Sequence, residues 1–236
     1  MSKTIDYPSG KNGKMISAEL NPPTGASNVG IVILAHGSEG MTDHLTGPWR
    51  TMILDYADEL ARLGFATLTP NYFEKNGATP EGIAADPTKQ LLAGRTAWAA
   101  ALADAVAHVK TLHGIDPARI GLLGFSLGGH LCLDIREMAK VLVAFYAPFP
   151  GLRPRGGRLA LQAQLHNGTA DKLVPPETAP IIEEMLKNEG ATVDRKTYWG
   201  KGESGAAHGF IGTDAANTKA HADSKASALT FFTTHL

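Results

Sequence analysis

Cysteine is nearly absent: Cys132 is the single one among 236 residues. One thiol excludes an internal disulfide and any cysteine-rich metal site, and its place on a predicted helix points to a buried, inert side chain. Net charge is also close to nothing, with 22 Lys and Arg against 23 Asp and Glu and a formal value of -1. That balance leaves no electrostatic footprint for nucleic acid or an anionic membrane surface. No apolar run approaches the length of a membrane span. The opening residues, Met1 to Pro8, lack the apolar core of a signal peptide, so a soluble, cytoplasmic protein is expected. Metal and nucleotide signatures are missing too. There is no H-E-x-x-H and no C-x-x-C, and Gly-Lys occurs three times but never before Ser or Thr. Residues 200–205 match G-x-G-x-x-G literally, but they open no helix directly and too little chain follows for a dinucleotide unit. The nine histidines are scattered. Neither a cofactor nor a metal is expected.

What the chain does contain is Gly124-Phe125-Ser126-Leu127-Gly128, the pattern G-x-S-x-G. A short apolar run, residues 119–123, precedes it, and a helical pattern follows over 130–138. Strand, glycine-flanked serine and helix together are the context of a nucleophile elbow. A side chain at so sharp a turn sits in a strained backbone conformation, and flanking residues with a Cβ would clash. The alternative is a glycine-rich turn with an incidental serine, and the two correct flanks favour the elbow.

The rest of the chain alternates strands and helices. Residues 1–28 are polar and turn-rich around a short strand near 15–20, an antiparallel start to a sheet. Residues 29–35 form a continuous apolar run, as expected for a strand buried on both faces. A helix is predicted over 48–63, capped by Gly64, and a strand over 65–69. A Gly- and Pro-containing connection, 70–89, is expected at the rim of the site. An alanine-rich helix over 90–113 leads through Asp116-Pro117 to the elbow strand. Beyond the elbow helix, strands are predicted over 141–146, 159–165 and 192–199. Helices are predicted over 176–188, capped by Gly190, and over 214–235. The pattern predicts one α/β domain, 1–236, with a mostly parallel central sheet of about seven or eight strands and helices on both faces. In such a sheet the ligand sits at the carboxyl ends of the strands.

A serine hydroxyl needs a base to take its proton and an acid to orient that base. On a scaffold of this kind the chain order is serine, acid, histidine. Of the histidines, only His208, His221 and His235 come late enough, and the latter two fall on the last helix. His208 lies in the loop after the last strand. Between positions 126 and 208, Asp134 sits on the elbow helix and Asp194 inside a strand, whereas Asp171 follows a strand end. The expected catalytic residues are therefore Ser126, His208 and Asp171. The oxyanion donors are expected to be the backbone amides of Leu127 and of Ser38, in the loop that Gly37 bends toward the site. His36 reads as a structural hydrogen-bonding residue.

At these residues the chain resembles the dienelactone hydrolase family of the α/β-hydrolase fold. The matching stretches are residues 57–66, Asp116-Pro117-Ala118-Arg119-Ile120-Gly121 running into the elbow, Gly168-Thr169-Ala170-Asp171, and Ala207-His208-Gly209-Phe210. The resemblance implies hydrolysis of ester-type bonds through an acyl-enzyme, with no cofactor. Prototype members use a cysteine nucleophile and a glutamate in the oxyanion loop. Here the nucleophile position is Ser126 and Gly37 stands in the glutamate's place, which fits the serine members that look like general esterases.

The connection over 147–158 is too short for a large cap domain. It carries Arg153, Arg155 and Arg158, expected at the catalytic edge of the sheet and able to pair with a substrate carboxylate; a solvated cationic loop is the alternative. Tyr72, Phe73, Tyr146, Phe149, Trp199 and Phe210 are candidate pocket walls. The expected partner is a small-molecule ester, with no nucleic acid and no membrane, and both a monomer and a homodimer fit. A peptidase or thioesterase on the same scaffold is an alternative. So is a non-catalytic binding module, which would have lost a triad position.

Overall fold

A computed structural model describes residues 2–22, 28–149, 158–199 and 205–236. Its centre is β3, Val29–Ala35, whose seven residues are all buried. Their side chains divide by the two-residue period of a strand. Ile31, Ile33 and Ala35 enter one apolar cluster, and Val32 and Leu34 enter the other on the opposite face. β5 (Ile115–Phe125) and β6 (Val141–Phe145) divide in the same way, so both faces need a cover.

Helices supply it. On one face lie α1 (Trp49–Arg62), through Met52, Ile53, Tyr56 and Leu60, and α6 (Ala215–His235), through Ala228, Phe231 and Phe232. On the other lie α3 (Pro87–Val109), α4 (Leu127–Asp134) and α5 (Thr178–Asn188). In α3 the buried residues Trp98, Ala101, Leu102, Ala105, Val106 and Val109 recur three and four apart, the spacing of one helical face.

The helix ends follow from local chemistry. Asp214 accepts the amides of Ala216 and Asn217 at the start of α6. Gly64 closes α1 at φ +90°: its amide donates to Ala61, and that of Phe65 to Leu60. Gly190 closes α5 in the same way, at φ +92°. A left-handed residue with this pair of bonds is a Schellman end, where glycine carries no steric cost.

The eight strands are ordered β1-β2-β4-β3-β5-β6-β7-β8. β1 (Lys3–Ser9), β2 (Lys14–Asn21) and β4 (Ala66–Pro70) pair antiparallel in sequence. All pairings from β4 through β3, β5, β6 and β7 (Gln162–Gly168) to β8 (Thr192–Tyr198) are parallel. The expected strand near 15–20 is thus the second arm of a hairpin. The first arm, polar and carrying Pro8, is anchored by Tyr7, which is fully buried and donates its hydroxyl to the Ala101 carbonyl at 3.0 Å.

Other boundaries differ from expectation. The third helix starts at Pro87, with the Asp86 side chain accepting the Lys89 amide, and ends at Val109 rather than 113. The connection 70–89 is not a bare loop. It contains a 3-10 turn, Tyr72–Lys75, and the short helix α2, Pro80–Ala85. Tyr72, Phe73 and Ile83 pack into the core, and the Glu74 carboxylate accepts the Ser17 amide and hydroxyl at 2.7 and 2.8 Å. The elbow helix stops at Asp134, and a 3-10 turn, Arg136–Met138, follows. Among the described residues no helix is long and apolar enough to cross a membrane.

Candidate active site

Ser126 stands between β5 and α4 at φ 51° and ψ -116°, a left-handed conformation that a non-glycine residue rarely holds. The surroundings over-determine it. Its amide donates to the Phe145 carbonyl at 2.9 Å, and its carbonyl accepts the His130 amide at 3.1 Å, the first bond of α4. The flanking glycines are required by contact. A Cβ on Gly128 would lie 2.1 Å from the Ala35 carbonyl oxygen, and one on Gly124 would lie 2.4 Å from the Gly128 oxygen. The helix therefore starts against the sheet edge, and the serine side chain projects from the turn.

Asp171 follows β7 and is buried. Its Oδ1 accepts the amides of Leu173 and Val174 at 2.9 and 2.8 Å, an aspartate turn that fixes the carboxylate orientation. Its Oδ2 faces His208 Nδ1 at 2.8 Å. A carboxylate only accepts, so Nδ1 carries the proton and donates. His208 Nε2 is then left as the acceptor for the Ser126 hydroxyl, 3.1 Å away.

The loops carrying Asp171 and His208 are tied together. The Ala170 amide donates to the Ala206 carbonyl at 3.0 Å, and Gly168 lies so close to that carbonyl that a Cβ would come within 2.0 Å of its oxygen. From the other side, Asn217 Oδ1 accepts the Ala207 amide at 2.9 Å while its amide group donates to Asp214 at 2.6 Å. The start of α6 thus holds the histidine loop. The Tyr146 ring packs on His208 with centroids 4.8 Å apart.

The loop after β3 closes the site. A Cβ on Gly37 would contact Ser126 Cβ at 3.6 Å, so this backbone runs beside Ser126. His36, fully buried, donates through Nδ1 to the Gly37 carbonyl at 2.8 Å and stacks on Tyr72, whose hydroxyl donates to the His36 carbonyl at 2.6 Å. Burial lowers the His36 pKa to about 4, so the ring is neutral and holds the loop. Ser38 lines the cavity above Ser126. Leu127 is the first residue of α4, where amides have no partner within the helix.

The cavity has a volume of about 140 Å³ and reaches Ser126 and His208. Trp49, Met52 and Ile53 of α1, with Tyr146, Leu173 and Ile211, make most of its apolar wall. Of the expected walls only Tyr146 is there. Trp199 is 76% exposed and lies outside the lining, at the end of the edge strand β8. Phe210 is buried beneath the histidine loop against Tyr198 and Tyr146, at 5.0 and 5.3 Å. It supports His208 from below and does not line the cavity. Tyr72 and Phe73 stand behind His36, and Phe149 packs against the core.

Arg153 and Arg155 lie outside the described residues. Arg158 is not at the catalytic edge. It leads into the start of β7 beside Gly190, at the opposite end of the strands, because a parallel connection must return the full length of the sheet. Trp49, Met52 and Ile53 were legible only as helix positions, and their turn toward the cavity had no separate signal. Among the described residues no cluster of His, Cys, Asp or Glu has the arrangement of a metal site.

Comparisons with known proteins agree with this architecture. The model of the dienelactone hydrolase family matches residues 16–236. A Synechocystis protein provisionally named a carboxymethylenebutenolidase is 26% identical, over 94% of this chain and 92% of its own length. The crystal structure of a protein from Klebsiella pneumoniae, provisionally named a dienelactone hydrolase, superposes with a TM-score of 0.74 at 20% identity, covering 98% of each chain. A dienelactone hydrolase-like promiscuous phosphotriesterase from metagenomic libraries superposes with a TM-score of 0.73 at 18% identity, covering 99% of this chain and 98% of its own. The fold is that of the α/β-hydrolases.

Proposed function

The chain belongs to the dienelactone hydrolase family, and from that premise we propose that it is a serine hydrolase of small ester-type substrates acting through an acyl-enzyme. One observation carries the reading: the unbroken chain Asp171–His208–Ser126, at 2.8 and 3.1 Å, ends at the floor of an apolar cavity. In the first step Ser126 Oγ attacks the ester carbonyl carbon as its proton passes to His208 Nε2. The carbonyl oxygen becomes an oxyanion, which the amides of Leu127 and Ser38 receive. Collapse breaks the carbon–oxygen bond to the alcohol, which leaves with the proton from Nε2. Water then attacks the acyl group by the same route and frees the acid and Ser126. Asp171 keeps the Nδ1 proton in place and stabilises the imidazolium in each step. The strained Ser126 backbone supports the same reading, since strain of this kind persists where the surrounding structure enforces it.

The experiment is fluorophosphonate labelling with intact-protein mass and peptide mapping. A single adduct on Ser126, absent from Ser126→Ala, is the expected outcome. Folded protein that takes no label would refute an activated serine and raise the binding-module reading. A panel of esters, thioesters, lactones and peptides then separates an esterase from a thioesterase or peptidase.

A further inference from the structure

Among the described residues the cavity wall contains one acid outside the proposed triad, Glu39. Both of its oxygens are engaged by a single residue: Oε2 accepts the Thr46 amide at 2.9 Å, and Oε1 accepts the Thr46 hydroxyl. That hydroxyl also accepts the indole N–H of Trp49 at 3.3 Å. The carboxylate is therefore held in place beside an aromatic wall. Among the described residues, no lysine or arginine lines this cavity.

These features have a definite electrostatic consequence. A small, mostly apolar cavity strengthens any charge interaction within it relative to water. A fixed carboxylate lining the same cavity as Trp49 favours a positive group twice, by direct attraction and by attraction to the indole ring. A second carboxylate brought into the same space meets like charge and loses hydration.

Resting on the serine-hydrolase reading, we propose that Glu39 is a specificity-determining residue that selects esters bearing an alkylammonium group near the scissile bond over esters bearing a carboxylate. The expectation attached to Arg153 and Arg155, recognition of a substrate carboxylate, predicts the reverse order, so one experiment decides between them.

The test uses three esters of one phenol whose acyl chains end in a methyl, a trimethylammonium or a carboxylate group. The readout is the ratio of kcat/KM for the ammonium ester to that for the carboxylate ester, in the intact protein and in Glu39→Gln, at low and high salt. Glutamine keeps the length of the side chain and removes the charge; its oxygen can still accept the Thr46 amide, while its NH₂ group must donate to the Thr46 hydroxyl instead of accepting from it. The expected ratio favours the ammonium ester by about tenfold or more at low salt, shrinks as salt screens the site, and falls about tenfold in Glu39→Gln. A purely structural role for Glu39 would lower both rates together and leave the ratio where it was, which overturns the proposal. So does a native preference for the carboxylate ester.

A binding measurement separates this proposal from the reaction on which it rests. Phenyltrimethylammonium and benzoate are titrated calorimetrically into Ser126→Ala, with and without Glu39→Gln. If no ester is cleaved but the ammonium compound binds in a Glu39-dependent manner, the hydrolase reading fails and the charge selectivity stands. If esters are cleaved with a ratio indifferent to Glu39, the selectivity fails and the hydrolase reading stands. Absence of both cleavage and Glu39-dependent binding overturns both.

Discussion

Asp171→Asn isolates the orienting role proposed for Asp171 with almost no change in shape. In the native site Oδ1 is committed to the amides of Leu173 and Val174, and Oδ2 to His208 Nδ1. An introduced amide has only one acceptor. Its oxygen has to take the place of Oδ1, because turning the other way would leave two backbone donors facing an NH₂ group, at about 1 kcal/mol or more each. The NH₂ group then faces Nδ1 across 2.8 Å. Nδ1 must present its lone pair, the ring proton moves to Nε2, and Nε2 can no longer accept from the Ser126 hydroxyl. The site is intact but holds the wrong tautomer. Loss of about four orders of magnitude in kcat is expected, or roughly 5 kcal/mol of transition-state stabilisation. The assay is hydrolysis of a neutral nitrophenyl ester, read beside thermal melts of both proteins. The melting temperature should move by no more than a few degrees, since both backbone bonds survive. A loss of less than about tenfold in a variant that melts like the native protein would refute the reasoning that Asp171 sets the tautomer of His208.

Two further predictions concern stability. Arg136 and Glu189, almost fully buried, form a two-pronged ion pair joining the turn after α4 to the end of α5. Glu189→Gln removes the carboxylate charge from this buried pair and should cost about 3–5 kcal/mol in urea unfolding; a cost under about 1 kcal/mol would show that the pair is not structural. The second concerns acid. Burial lowers His36 to about 4 and His166 to about 3, against an ordinary value near 6.5. Below about pH 6.5 the unfolded chain binds protons that the folded chain refuses, so stability is complete above that value and falls as pH drops toward 4 and then 3. The slope is about 1.4 kcal/mol per pH unit for each such histidine. Urea midpoints that stay level between about pH 7 and pH 5 would contradict it.

Much of the site was legible because its requirements are local or directional. Gly124 and Gly128 are dictated by contacts within the elbow or with the strand beside it, and Gly64 and Gly190 by the geometry of a helix end. Ser126, Asp171 and His208 fall at one edge because parallel strands present their carboxyl ends there, and their order is the one this kind of scaffold uses. A distance of 2.8 or 3.1 Å between groups 37 or 82 residues apart is another matter. It depends on the close approach of Gly168 to Ala206 and on Asn217 bracing the histidine loop.

The chain by itself determined the alternation of strands and helices, the elbow and the residues eligible for the proposed triad, since steric limits on φ and hydrophobic period act over a few residues. Tertiary structure alone decided what surrounds Ser126. Trp49 opens α1 and Trp199 follows β8, yet one walls the cavity and the other is exposed, because α1 packs over the centre of the sheet while β8 is its edge. Glu39 and Thr46 are both loop residues in sequence, and only the folding of that loop over Ser126 makes their hydrogen bonds part of the cavity wall. Arg158 reads as part of the loop after β6 and ends at the far edge of the sheet, where the start of β7 must lie. Side chains that face a cavity are chosen by the packing of elements distant in sequence, and no local pattern records that choice.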